Sequence, residues 1–173
     1  MAIPSVGTMQ SRSRPWAGYA AAAWAFVFSL QSFYYAVGGT VGAATFPPSL
    51  VTPLLAREPT AVATMWATGV LKVIAGVLAL ALVQHWGRKI PRRLLLVAGG
   101  IAVAIMGIYE GAASWVQHAL MVAGVIDIPA GLGRRSAYWH LVFWDPWWLV
   151  GGLLFGLATL HRYSRRCRPL SRG

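Results

Sequence analysis

Long apolar runs separated by short basic or proline-rich connections set the pattern of this chain. Crossing the hydrocarbon of a bilayer takes about 20 apolar residues at about 1.5 Å of rise each. Four stretches reach that length: Trp16 to Gly38, Ala61 to Gln84, Leu94 to about Ala113 with a continuation toward Val125, and Tyr138 to Leu160. The pattern predicts an all-α polytopic membrane protein with four transmembrane helices. Residues 1–15 read as a basic N-terminal segment, 16–160 as the membrane domain and 161–173 as a basic tail.

The connections carry their own signals. Between the first two spans, Pro47, Pro48 and Pro53 exclude a continuous helix, because proline lacks an N–H and clashes with the preceding turn. A short interfacial segment across the top of the bundle is expected there. Arg57-Glu58-Pro59-Thr60 reads as a polar stop followed by a helix start. The stretch from Asp127 to Arg135, with Pro129, Gly131 and Gly133, reads as a loop. The glycine-rich GGTVG has none of the strand context of a nucleotide fingerprint.

Composition agrees with lipid as the solvent. Hydrophobic residues make up 57% and charged ones 11%, and the mean hydropathy is +0.58. A soluble domain holds about 25% charged residues, and one this small leaves much of its surface in water. The formal charge of +11 sharpens the topology. Arg12, Arg14, Arg88, Lys89, Arg92, Arg93 and the tail arginines (Arg162, Arg165, Arg166, Arg168, Arg172) would lie on one side. Only Arg57, Arg134 and Arg135 would lie on the other. Cytoplasmic loops are the basic ones, so both termini are expected inside a bacterial plasma membrane. Cations gathered beside apolar runs point to anionic lipid headgroups rather than nucleic acid. The lone Cys167 permits no internal disulfide. The opening lacks a clear cleavage site, and a retained first span is expected rather than a removable signal peptide.

Candidate chemistry follows from polar residues placed where lipid should be, since an ionisable group there costs several kcal/mol unless paired or wetted. Lys72 falls roughly 15 Å from either face of the second span. Glu110 and Gln31 fall in the outer parts of the third and first spans, and His140 and Asp145 in the outer half of the last. Their shared depth predicts one polar pocket toward the outer leaflet. Helical phase puts Gly69, Lys72 and Gly76 on one face, Glu110 beside Gly107 and Gly111, and Asp145 with Gly152 and Gly156, faces on which helices approach closely in lipid. Two readings remain open: a structural ion pair of Lys72 with Glu110 or Asp145, or a site that handles a proton, an ion or a polar ligand head.

Tyr138 to Trp148 (YWHLVFWDPWW) is the densest chemistry in the chain. Asp145-Pro146 can start a helix, with aspartate as cap and proline in the first turn. Alternatively the helix is continuous, and Pro146 frees a carbonyl one turn earlier. Asp145, Glu110 and His140 are the candidate catalytic groups. Lys72, Gln31, Tyr35, Trp66, Tyr109, Trp144 and Trp148 are the candidate ligand contacts, with belt anchoring or core packing as the ordinary alternative for the aromatics. His85, His118 and His161 read as loop or span-end residues, so no metal-binding signature and no cofactor is expected. Nucleophile elbow, phosphate-loop and H-E-x-x-H motifs do not occur.

Three functions fit. The first is a binding protein that holds a lipophilic small molecule, or a partner helix, in the outer-leaflet pocket. The second is an embedded isomerase, cyclase or epoxide hydrolase acting on a polyketide or isoprenoid by carboxylate acid–base catalysis. The third is a small proton-coupled exporter around Glu110, for which a mid-depth lysine and the lack of inverted repeats are awkward. Expected partners are a lipid or lipophilic small molecule and anionic headgroups at the cytoplasmic face; self-association is left open, and nucleic acid is not expected.

Three segments also carry a likeness. Trp24-Ala25-Phe26 with Tyr35-Ala36-Val37-Gly38-Gly39, the RKIPRR turn from Arg88 to Arg93, and His140-Leu141 with Trp144-Asp145-Pro146-Trp147 resemble a family of small actinobacterial integral membrane proteins catalogued as a domain of unknown function. The resemblance covers about Trp16 to Leu160, and its most specific part is the last-span motif. It implies four membrane helices in a bacterial plasma membrane, and no activity, cofactor or catalytic residue.

Overall fold

The computed structural model describes residues 16–164. The basic N-terminal segment with Arg12 and Arg14, and the tail with Arg165, Arg166, Cys167, Arg168 and Arg172, lie outside the described residues. Five helices follow in chain order: α1 (Trp16–Ala36), α2 (Pro48–Leu55), α3 (Pro59–Val83), α4 (Arg92–Val122) and α5 (Arg134–Ser164). No strand occurs among the described residues. Helices α3, α4 and α5 are each long and apolar enough to cross a membrane.

Local chemistry explains where the helices begin and end. Pro48 and Pro59 occupy first-turn positions of α2 and α3, where a missing N–H costs nothing. The connection between α1 and α3 holds a 3-10 turn at Ala43–Thr45 and the eight-residue α2, as the prolines dictated. At the end of α1, Arg57 lies in the left-handed region with φ 58°. Its guanidinium donates to the Ala36 carbonyl at 2.9 Å. A cation thereby satisfies an orphan carbonyl at the negative pole of a helix.

The helices pack through small residues. Ala17, Ala21 and Ala25 form a fully buried stripe on α1, which lies along α3 and also touches α5. Large side chains rest on glycines of the facing helix: Phe33 on Gly69, Phe26 on Gly76, Trp24 on Gly151 and Leu149 on Gly111. Helices α4 and α5 approach most closely at Gly107 and Gly152, whose backbones are in direct contact. Without a hydrophobic drive between helices in lipid, this close van der Waals packing supplies the adhesion. The expected small-residue faces are thus real, except that Gly156 meets Val103 only at an ordinary 3.7 Å.

The two ends of the bundle differ. At one, Arg92 donates to the Tyr163 carbonyl at 2.9 Å, Arg162 to that of Gly87 at 3.2 Å, and Gln84 to the Tyr19 hydroxyl at 3.1 Å. The start of α1, the basic turn between α3 and α4, and the end of α5 therefore meet. At the other end the 3-10 turn and α2 tie to the α4–α5 connection, with Ser136 donating to the Thr45 carbonyl at 3.2 Å and the Ser49 N–H to that of Gly131 at 3.1 Å.

Both α4 and α5 contain wide π turns, at Ala104–Ala113 and His140–Trp144. Asp145-Pro146 thus lies inside a continuous helix, and the second of the two readings of that dipeptide holds. The Asp145 N–H donates to the carbonyl of His140, five residues back. In that register Pro146 would donate to Leu141 but has no N–H. The Leu141 carbonyl instead accepts the Trp115 indole N–H at 3.1 Å. An aromatic side chain from α4 thereby supplies the donor that proline lacks.

Candidate functional site

Asp145 is the centre of the site. It is 1% exposed, one of few buried polar residues in the bundle. Its Oδ2 accepts from His118 Nδ1 at 2.7 Å, and its Oδ1 from His140 Nδ1 at 3.3 Å. The two imidazoles stack, with centroids 4.7 Å apart and planes at 29°. His140 and Asp145 would diverge by about 140° on a regular α-helix. The π turn between them, with its five-residue hydrogen bond, rotates His140 back over the carboxylate. Local helix geometry, rather than spacing alone, builds the pair.

This arrangement sets the proton positions. Because both Nδ1 atoms face a carboxylate, each carries a hydrogen, and in the neutral ring Nε2 of His140 is the lone-pair acceptor. That Nε2 is buried and has no hydrogen-bond partner among the described residues, and the same holds for Nε1 of Trp144. Both residues line a cavity of about 550 Å³ bounded by α1, α2, α3, α4 and α5. An orphan acceptor and an orphan donor at one cavity wall are uncommon in folded proteins, where buried polar atoms are nearly always paired.

The cavity gathers most of the expected groups. Gln31, Tyr35, Lys72, Glu110, His140, Trp144 and Trp148 all line it. Asp145 stands behind His140 rather than in the lining. Two of the expected contacts are elsewhere: Trp66 packs on Phe33 with centroids 5.3 Å apart, and Tyr109 is 69% exposed on the outside of α4. Both face the lipid-side surface, where belt anchoring explains them. A second cavity of about 400 Å³ shares Phe28, Gln31, Tyr35 and Trp144 with the first and extends to Trp139 and Trp147.

Lys72 makes no ion pair with either candidate carboxylate. Its Nζ donates to Ser32 Oγ at 2.8 Å and sits 3.5 Å from the Phe28 ring centroid. Of the two readings left open, the structural ion pair with Glu110 or Asp145 does not hold: Asp145 is held by imidazoles, and the lysine's near partners are Ser32 and Phe28 on α1, with the Trp148 ring of α5 farther off at 6.0 Å. Phe28 offers the negative face of its ring to the ammonium, an interaction worth up to about 2 kcal/mol when desolvated.

Sequence reasoning missed His118. It was read with the loop and span-end histidines, whereas α4 continues to Val122 and carries it inside the bundle at 9% exposure. The usable signal was the unbroken apolar run beyond Ala113, which places His118 two turns past Gly111, on the side that faces α5. His161 lies in the last turns of α5, at a span end. Three potential donors, one atom each from His118, His140 and Asp145, fall within 4.8 Å of one another, a grouping that spacing along the chain does not signal.

No curated protein and no solved structure shows significant similarity to the chain. One protein-family profile matches residues 25–155, a stretch that includes Lys72, Glu110, His118, His140 and Asp145. By that match the chain belongs to the family described as protein of unknown function (DUF3995).

Proposed function

We propose that this protein spans the bacterial plasma membrane four times, with both ends in the cytoplasm, and binds a lipophilic small molecule in the 550 Å³ cavity. The fourth span is α1, whose 21 residues reach about 31 Å, the thickness of the hydrocarbon core. Its orientation is supported by the basic α3–α4 turn, which meets the start of α1 and the end of α5 at one end of the bundle. A reporter fused to the C-terminus that fluoresces only in the cytoplasm should be bright.

The observation that carries the binding reading is the pair of unpartnered buried nitrogens, His140 Nε2 and Trp144 Nε1, in a cavity whose wall is mostly apolar, with Gln31, Lys72 and Glu110 as its other polar groups. A hydroxyl can donate to the first and accept from the second, while an apolar body fills the remainder. Farnesol, an isoprenoid alcohol, is a suitable probe. Native mass spectrometry of detergent-purified protein should show a one-to-one adduct, weakened by His140→Ala and abolished by Met65→Trp, which fills the cavity. Equal adduct on the filled variant would reject the reading.

A second reading is favoured by one feature. His140, oriented by Asp145 and lining the cavity with Glu110, has the form of a base held by a carboxylate with an acid nearby. An embedded proton-transfer enzyme acting on a lipophilic isoprenoid or polyketide would use that pair. Deuterium incorporation from heavy water into a bound substrate, lost in His140→Ala, is its test.

A further inference from the structure

The His118–His140–Asp145 cluster presents a donor set that no hydrogen-bond argument fully uses. Two imidazoles and one carboxylate from different turns of α4 and α5 bring one donor atom each within 4.8 Å. Two-histidine, one-carboxylate sets of this kind bind first-row divalent metals with coordination positions left open, zinc and ferrous iron above all. We propose that His118, His140 and Asp145 bind such an ion, zinc or ferrous iron.

Geometry and charge both support the site. Around a tetrahedral zinc, donor atoms stand about 3.3 Å apart. The His140 contact of 3.3 Å already has that separation, and the His118 contact of 2.7 Å needs to open by roughly 0.6 Å. As the bundle stands, Asp145 is a buried carboxylate whose hydrogen-bond partners are two histidines. A divalent ion would balance it together with Glu110, which lines the adjoining cavity and makes no hydrogen bond or ion pair among the described residues. Lys72 is occupied by Ser32 and Phe28 and does not compete for either carboxylate. His140 belongs both to the cluster and to the cavity wall, so the proposed ion would lie next to the cavity.

The site does not depend on what fills the cavity, so its test is separate from farnesol binding. Protein purified with a non-histidine affinity tag, under anaerobic conditions, is analysed for zinc and iron, then stripped with chelator and titrated with Co²⁺ as a spectroscopic probe. The expected result is close to one metal per chain, with the metal analysis separating zinc from iron. Cobalt should give visible ligand-field bands that saturate at one equivalent. His118→Ala and His140→Ala should lower metal affinity at least tenfold, whereas Lys72→Met should leave it unchanged. Wild-type protein that retains no metal and shows no cobalt bands would overturn the proposal, leaving a hydrogen-bonded cluster only. Undiminished metal in correctly folded His118→Ala would overturn it equally, assigning the ion to other histidines such as His85.

Discussion

Adding one methyl group at Gly152 should loosen the whole site, and the packing shows how much. A Cβ there would sit 2.6 Å from the Gly107 nitrogen and closer still to its Cα, both backbone atoms of α4. Ordinary carbon–carbon contact needs about 3.5–4.0 Å, so the helices must part by about 1 Å or more, because backbone cannot rotate away. Overpacking of this kind costs about 1–3 kcal/mol, against up to about 1 kcal/mol gained by alanine over glycine in a helix. At Gly156 the same methyl meets only Val103 at 3.7 Å, an ordinary contact, so the helix-propensity gain stands alone. Gly152→Ala should therefore lower stability by about 1–2 kcal/mol and Gly156→Ala should be neutral or slightly stabilising. For a chain of this length each kcal/mol moves the melting temperature by about 2–4 °C. Tryptophan-monitored thermal unfolding in detergent measures both. Because α4 carries His118 and α5 carries Asp145, the Gly152 variant should also bind Co²⁺ more weakly. Equal stability of the two variants would show that the Gly107–Gly152 contact does not hold these helices together.

Other side chains yield further expectations. Trp115→Phe removes the donor to the Leu141 carbonyl and should cost about 1 kcal/mol in reversible unfolding, and combining it with Pro146→Ala, which restores a backbone N–H, should recover part of that loss. A double-mutant cycle with no coupling between the two positions would refute the compensation. Lys72→Met keeps the apolar stem and removes a charge from the span. Its stability should be unchanged or raised by up to about 1 kcal/mol, while quenching of cavity tryptophan fluorescence by farnesoic acid should weaken at least fivefold and quenching by farnesol should not. Trp24→Phe breaks the 3.2 Å indole bond to the Trp147 carbonyl and thins the stack with Trp147, and should cost about 1–2 kcal/mol in the same unfolding assay.

The three membrane-length apolar helices, the proline-broken connection between α1 and α3 and the helix start at Pro59 were legible without coordinates. They depend on local properties, namely hydropathy over about 20 residues and the missing N–H of proline. Most of the cavity lining was legible too, because a polar residue inside a span has few places to go except between helices. Gln31, Lys72, Glu110 and His140 do meet at one cavity. Pairing within that set was not legible. The partner of Lys72 proved to be a serine and a phenylalanine ring on α1, and Asp145 took a histidine read as peripheral. Those choices depend on which helices adjoin and on how far each is rotated. A wide turn at His140–Trp144, invisible to any fixed helical period, shifts that rotation for every residue before it. The chain alone determined what must be buried, through the cost of polar groups in lipid. Tertiary structure decided what each buried group would touch, since glycine contacts such as Gly107–Gly152 set the helix spacing and the π turns set the phase.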